Sequence, residues 1–274
     1  MATTDGIGNP QAAQAAPPEA RKTEWRRAWR ALQGLIADPQ RTDLVFEIGD
    51  ALAGPSYERS FQRFLAHPDG RRLLEERPSL LEALGDRATL ATLPVGSLGR
   101  SYLEFMEAGK LTANGLVAAE AMAQQRYATP ESDRDRQFFG DRIRDMHDLW
   151  HVLTGYGMDD AGEAANLAFT QAQIPTRGIA LIVLAAAAIG PKDVRLTWQR
   201  YLLQAWRRGR RAKLLTVVPY ERLLALPLDE VRAMLDIEPP DVAHPEGVIV
   251  ASRVDGAAPM AAALNSAEHR RAAA

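Results

Sequence analysis

Leu98-Gly99-Arg100-Ser101-Tyr102-Leu103-Glu104-Phe105-Met106 places its apolar residues Leu98, Tyr102, Phe105 and Met106 at steps of four, three and one. Those steps put the side chains on one face of an α-helix, whereas a half-buried strand would alternate at every second residue. The same spacing recurs outward, at Leu32, Leu35 and Ile36 and at Leu44, Ile48 and Leu52. Helices are predicted over about 24–37, 41–53, 56–66, 69–75, 97–108, 111–125, 132–153, 159–172, 177–188, 191–212, 219–225 and 228–235. Their breaks fall at residues that end or open helices: Pro39, Pro55, Pro68, Pro78, Pro94, Gly109, Pro130, Gly155, Gly157, Pro175, Gly190, Pro191, Pro219 and Pro227. A β-branched alternation appears only at Gly247–Ala251. The expected fold is all-α, one compact multi-helix domain over 23–238, because the connections are short and no internal repeat is visible. Residues 1–22 are small, polar and proline-containing and read as a disordered leader without the apolar stretch of a secretory signal. Residues 239–274 are rich in alanine, glycine and proline and read as an irregular tail.

The composition excludes several classes of function. The 274 residues are 46% hydrophobic and 25% charged, the balance of a soluble globular protein. A net charge of −2 leaves no global basic field to hold nucleic acid, so no nucleic-acid partner is expected. With no cysteine, disulfides, thiolate catalysis and thiolate-bound metals are all excluded, and any metal must sit on His, Asp or Glu. The longest apolar run, Ile179–Ile189, is 11 residues, against the roughly 20 that a membrane-spanning helix needs. Among 33 basic residues the only lysines are Lys22, Lys110, Lys192 and Lys213, and alanine is abundant. This points to a high-GC bacterial source.

Of the five histidines, His67, His244 and His269 are isolated in the sequence. His147 and His151 are paired in Arg144-Asp145-Met146-His147-Asp148-Leu149-Trp150-His151-Val152-Leu153. Four residues apart on a helix, two imidazoles project from one face, the spacing that grips a single metal ion. Asp148 follows His147 as a third ligand, an outer partner or a base. Glu163 lies beyond the Gly155–Gly157 turn, where an antiparallel helix would bring it back onto the pair. A mononuclear N/O site of this kind suits zinc, with iron and manganese as alternatives. Spacing alone leaves open a plain hydrogen-bonded polar seam between helices. A dinuclear bundle site is disfavoured because no second E-x-x-H motif is present.

His147-Asp148-x-x-His151 followed after eleven residues by Glu163 resembles the H-D-x-x-H-x11-E signature of the coenzyme Q biosynthesis protein 4 family. The likeness extends to Leu98-Gly99-Arg100-x-Tyr102-x-x-Phe105-Met106, to His151-Val152-Leu153-Thr154-Gly155 with Gly162-Glu163, and to Gln171-x-x-Ile174-Pro175. It continues through Tyr220-Glu221, Leu228, Val231-Arg232 and Leu235-x-Ile237, spanning about 25–238. Ala172-Gln173 departs from it, since a Thr-Gly pair is usual there. The resemblance implies a metal-dependent step on a polyprenylated aromatic precursor of ubiquinone, an oxidative decarboxylation that replaces the ring carboxyl by a hydroxyl. It also implies that the other biosynthetic enzymes are organised at the membrane surface. By this resemblance His147, Asp148, His151 and Glu163 are both metal ligands and catalytic residues. The location implied by resemblance and composition together is peripheral, on the cytoplasmic face of a bacterial inner membrane.

Two further segments bear on the lipid. Gly178–Ile189 is apolar on all faces and reads first as a buried central helix, with its alanines leaving room for a prenyl groove. Arg195, Arg200, Arg207, Arg208, Arg210, Arg211 and Lys213 alternate with Trp198, Tyr201 and Trp206. This segment, 195–213, reads as a solvated helix face or as an interfacial element on anionic lipid. A homo-oligomer is compatible with all of this. The competing readings are a non-catalytic lipid-binding scaffold with a structural metal, and a zinc hydrolase in which Asp148 is the base and Glu163 the third ligand.

Overall fold

A computed structural model describes residues 23–38, 41–126, 134–190 and 195–238. Among these residues the chain forms α-helices and short 3-10 turns and no strand, which bears out the all-α expectation. The helices are α1 (Trp25–Ala37), α2 (Thr42–Leu52), α3 (Gly54–Ala66), α4 (Pro68–Glu76), α5 (Leu80–Gly85), α6 (Arg87–Thr92), α7 (Leu98–Ala108) and α8 (Gly115–Arg126). They continue with α9 (Arg134–Thr154), α10 (Asp160–Gln173), α11 (Arg177–Ile189), α12 (Arg195–Arg211) and α13 (Leu228–Met234), with 3-10 turns at Leu215–Val217 and Tyr220–Arg222. The leader, the tail and the 247–251 alternation lie outside the described residues.

Two helices escaped the periodicity, α5 and α6, because six residues are too few to show a repeat. Capping defines them instead: the Ser79 side chain accepts from the Glu82 amide at 3.2 Å, and Asp86 accepts from the Thr89 amide at 3.0 Å. The helix predicted over 219–225 is only the 3-10 turn Tyr220–Arg222.

The main core gathers Tyr102 and Phe105 of α7, Leu149 and Trp150 of α9, Phe169 of α10 and Trp198 of α12. Helix α10 is the central helix, with Ala165, Asn166, Ala168 and Phe169 all fully buried and α12 packed along it. Gly209 permits this approach, since a Cβ there would lie 2.5 Å from the Phe169 carbonyl oxygen. A second cluster joins α1 and α2 to Leu167 and Ile182, and a third joins Phe61, Phe64 and Leu73 to Phe139 of α9.

The apolar helix α11 is not the buried centre that its composition suggested. Only Gly178 and Ile182 are buried, while Leu184 is 69% and Ile189 59% exposed. Helix α11 covers one side of the core, and α10, with polar residues in its sequence, takes the interior. In α12 the same sorting divides the cationic segment. Trp198, Tyr201 and Arg208 turn inward, and Arg195, Arg200, Trp206, Arg207, Arg210 and Arg211 remain exposed. Arg208 donates through Nε to the Glu238 carbonyl at 2.9 Å, so one of the seven cations is structural. No helix among the described residues is long and apolar enough to cross a membrane.

Candidate metal centre

Helix α9 presents His147 and His151 one turn apart on one face, with ring centroids 5.0 Å apart. The chain reverses just beyond. Gly155 takes φ +73°, a left-handed conformation that glycine adopts without Cβ strain and that commonly ends a helix. Asp159 then caps α10 by accepting from the Gly162 amide at 2.8 Å. Gly162 packs against the turn so closely that a Cβ would lie 2.2 Å from the Gly157 carbonyl oxygen. This contact lets the first turn of α10 lie over the end of α9 and places Glu163 beside the histidines.

The carboxylate of Glu163 spans both rings. Its Oε1 is 3.2 Å from His147 Nε2 and its Oε2 is 2.9 Å from His151 Nε2. All ligating atoms of these three residues lie within 4.8 Å of one another. Asp148, the fourth residue expected at the site, stands outside this set. It is half-buried one position along the helix, near enough for both imidazoles to pull its pKa down, although burial dominates and raises it overall.

The tautomer of His151 follows from its surroundings. Its Nδ1 lies 3.1 Å from the carbonyl oxygen of Tyr156, a group that can only accept, so Nδ1 carries the hydrogen and donates. The Nε2 lone pair of the neutral ring then faces the Glu163 carboxylate at 2.9 Å. Two acceptors at that distance repel unless a cation lies with them, either a proton on Nε2 or a metal ion bound by both. Bonds of about 2.0–2.1 Å in a tetrahedral shell set neighbouring ligand atoms roughly 3.3 Å apart, close to the spacing found here. The donor set therefore fits a divalent cation. Burial pulls the His147 pKa down, but the Glu163 carboxylate, with Asp148 adding, more than reverses this and pushes it up to about 9. Burial would raise Glu163, yet the two imidazoles hold it well below the usual carboxylate range.

Three further residues contribute to the centre; the resemblance took in Phe105 and Gly162 without showing what they do, and Tyr156 carried no signal. Phe105 of α7 stacks on the His151 ring at 5.6 Å. It lies in the Leu98–Met106 block, which showed a buried face but not what that face touches. Tyr156 acts through its backbone oxygen, for which residue type is no guide. Gly162 acts through the side chain it lacks.

An all-helical chain whose longest helix offers two imidazoles to a carboxylate on the next has the donor set that an N/O metal centre on facing helices would need. Residues 26–241 match the family model for coenzyme Q (ubiquinone) biosynthesis protein Coq4. Over 213 residues, 76% of this chain and 78% of the other, it is 34% identical to the mitochondrial ubiquinone biosynthesis protein COQ4 of Yarrowia lipolytica. It is 31% identical over 212 residues, 76% of this chain and 73% of the other, to the mitochondrial COQ4 homolog of Danio rerio. A putative ubiquinone biosynthesis protein from Nostoc punctiforme PCC 73102 shares the fold, with a TM-score of 0.58, 21% identity and coverage of 78% of this chain and 98% of that one. The chain belongs to the Coq4 family of ubiquinone biosynthesis proteins. The expected place, the cytoplasmic face of a bacterial inner membrane, is overturned by these relatives, which are named as mitochondrial proteins of eukaryotes. An arginine- and alanine-rich composition reports codon usage and carries no physical information about compartment.

Proposed function

We propose that the chain is a metal-dependent enzyme of ubiquinone synthesis that removes the ring carboxyl of a polyprenylated aromatic precursor and leaves a hydroxyl in its place. The observation that supports this most is the convergence of His147, His151 and Glu163 from two helices onto one point. A bound divalent cation, zinc in the first instance and iron or manganese otherwise, would supply a Lewis acid for the substrate carboxylate or a neighbouring phenolate. The chain's own residues do the rest. His151 is oriented by Tyr156 and Phe105, Glu163 holds both imidazoles in register, and His147, His151 and Glu163 would hold the cation in their deprotonated forms. Asp148, half-buried one position after His147, would exchange a proton beside that ring. The carboxyl would leave as carbon dioxide, and the two-electron oxidation that installs the hydroxyl would draw its oxygen atom from an external oxidant of the dioxygen or peroxide class.

The substrate would be met at a membrane surface. Leu184 and Ile189 of α11 with Leu196, Leu203 and Trp206 of α12 are exposed together with Arg195, Arg200, Arg207, Arg210 and Arg211. Apolar side chains ringed by arginine suit anionic headgroups and the top of the acyl layer. The other biosynthetic enzymes are the expected protein partners.

The test is conversion of a carboxylated polyprenyl precursor by the purified, metal-loaded protein. Product formation that disappears in His147→Ala supports an enzyme. Undiminished conversion by a metal-free His147→Ala protein would sink it. Metal bound without any turnover, alone or with the partner enzymes, would leave the chain a scaffold.

A further inference from the structure

The end of α9 is held by a residue 81 positions past His151. A helix leaves its last carbonyls without helical partners, and at α9 these carbonyls are buried. The His151 carbonyl accepts from the Gly155 amide at 2.7 Å. The next two have no such partner in the chain reversal. The Val152 carbonyl accepts from Nη2 of Arg232 at 2.9 Å, and the Leu153 carbonyl accepts from Nε of the same guanidinium at 2.9 Å. Arg232 is 5% exposed and carries its charge to the negative end of the α9 dipole. It comes from α13, whose Val231 is fully buried in the main core, so the guanidinium is delivered by a packed helix and not by a loop.

The two carbonyls that Arg232 takes lie between His151 and the turn at Gly155 that carries Tyr156. If that last turn of α9 frays, Tyr156 moves, and with it the carbonyl oxygen that fixes the Nδ1 hydrogen of His151. We propose that Arg232 is a positioning residue of the metal centre, setting the tautomer and direction of His151 by pinning the end of α9. The proposal rests on His147, His151 and Glu163 forming that centre. The planar guanidinium fork suits two adjacent carbonyls, so lysine replaces it only in part.

Cobalt(II) titration of the full chain, read by its visible spectrum, tests this. Arg232→Ala is expected to weaken cobalt binding about 10- to 100-fold, the usual effect of losing an outer residue that orients a ligand. Arg232→Lys is expected to recover part of it. Loss of stability alone is controlled by Leu32→Ala in the α1–α2 cluster, which contains no residue of α9 or α13 and is expected to destabilise the fold and leave cobalt affinity unchanged. Equal cobalt affinity in Arg232→Ala and wild type would overturn the proposal, as would an equal loss in Leu32→Ala at matched stability. Failure of wild type to bind cobalt at all would refute the metal reading instead. Arg232 is then judged from the histidine ring alone, by nitrogen-15 spectra of the metal-free protein. A His151 Nδ1–H that is hydrogen-bonded in wild type and tautomerically averaged in Arg232→Ala supports the positioning role. Identical His151 spectra in the two proteins would refute it.

Discussion

Glycine 162 shows how much of the centre is set by a single missing atom. A methyl group at this position would overlap the Gly157 backbone, with contacts of 2.2 and 2.6 Å, so Gly162→Ala must lift the first turn of α10 away from the turn below it. Overpacking of this kind costs about 1–3 kcal/mol. Because Glu163 is the next residue, the larger loss is expected in metal affinity, at least tenfold by calorimetric titration. The ionisation of the same pair predicts how stability varies with pH. His147 has a folded pKa of about 9, above its ordinary 6.5, so its contribution is complete below pH 6.5 and is lost as the pH rises through 9. Glu163 is depressed below its ordinary 4.5, so its contribution is present above that value and is lost as the pH falls. The metal-free protein is therefore expected to be most stable near pH 5–6.5 and to weaken towards pH 9, as followed by urea midpoints. Glu163→Gln should flatten the alkaline arm. Saturating zinc should reverse its slope, because the ligands bind metal only after losing their protons. At this scale the sequence was most legible where chemistry repeats at helical spacing. His147, His151 and Glu163 could be named from their intervals, whereas the Tyr156 carbonyl and the space at Gly162 could not, since neither depends on a reactive side chain.

Helix α9 is the element on which the molecule turns, and the segment after α12 clamps it at three points. Arg142 reaches Glu221 through both terminal nitrogens, at 2.7 and 3.0 Å, and also donates to the Val218 carbonyl. Trp150 Nε1 donates to the Tyr220 hydroxyl at 3.0 Å, which in turn donates to the Leu215 carbonyl. Arg232 closes the far end. Arg142 is 2% and Glu221 16% exposed at the side chain, so removing one partner strands a poorly solvated charge. Arg142→Ala is expected to cost about 3–5 kcal/mol, with a fall in melting temperature. The conservative Tyr220→Phe, which removes only the hydroxyl and so both of these hydrogen bonds, should cost about 1–3 kcal/mol because it leaves Trp150 Nε1 buried without its partner. The helices themselves were legible because apolar spacing and proline breaks agree along most of the chain. Their depth was not. Helix α11 is the most apolar helix and still lies at the surface, while α10 carries Asn166 and Gln173 in the interior, because burial is decided by which faces other helices cover. The hidden ties of Arg142 and Arg232 were equally illegible, since a buried arginine and a solvated one look alike in sequence.

On the scale of the whole molecule, a near-neutral chain carries two differentiated regions. The candidate metal centre lies between α9 and α10, while α11 and α12 carry exposed arginines and apolar side chains. The net charge of −2 gave no hint of that exposed charge. Cosedimentation with vesicles containing phosphatidylserine or cardiolipin should show binding that falls as salt is raised, since each cation near such a surface contributes about 1 kcal/mol and is screened. Replacing Arg200, Arg207, Arg210 and Arg211 together by glutamate should abolish binding to anionic vesicles and leave the fold intact, because all four are exposed. Equal binding to neutral and anionic vesicles would remove the electrostatic part of the reading.

The central claim is that His147, His151 and Glu163 hold one metal ion, and equilibrium dialysis against zinc followed by elemental analysis tests it most directly. One zinc per chain is expected in the wild-type protein, with stoichiometric binding lost in Glu163→Gln while the circular dichroism of the helices is unchanged. Zinc that remains stoichiometric and equally tight in Glu163→Gln, or a wild-type protein that takes up none at saturation, would contradict it.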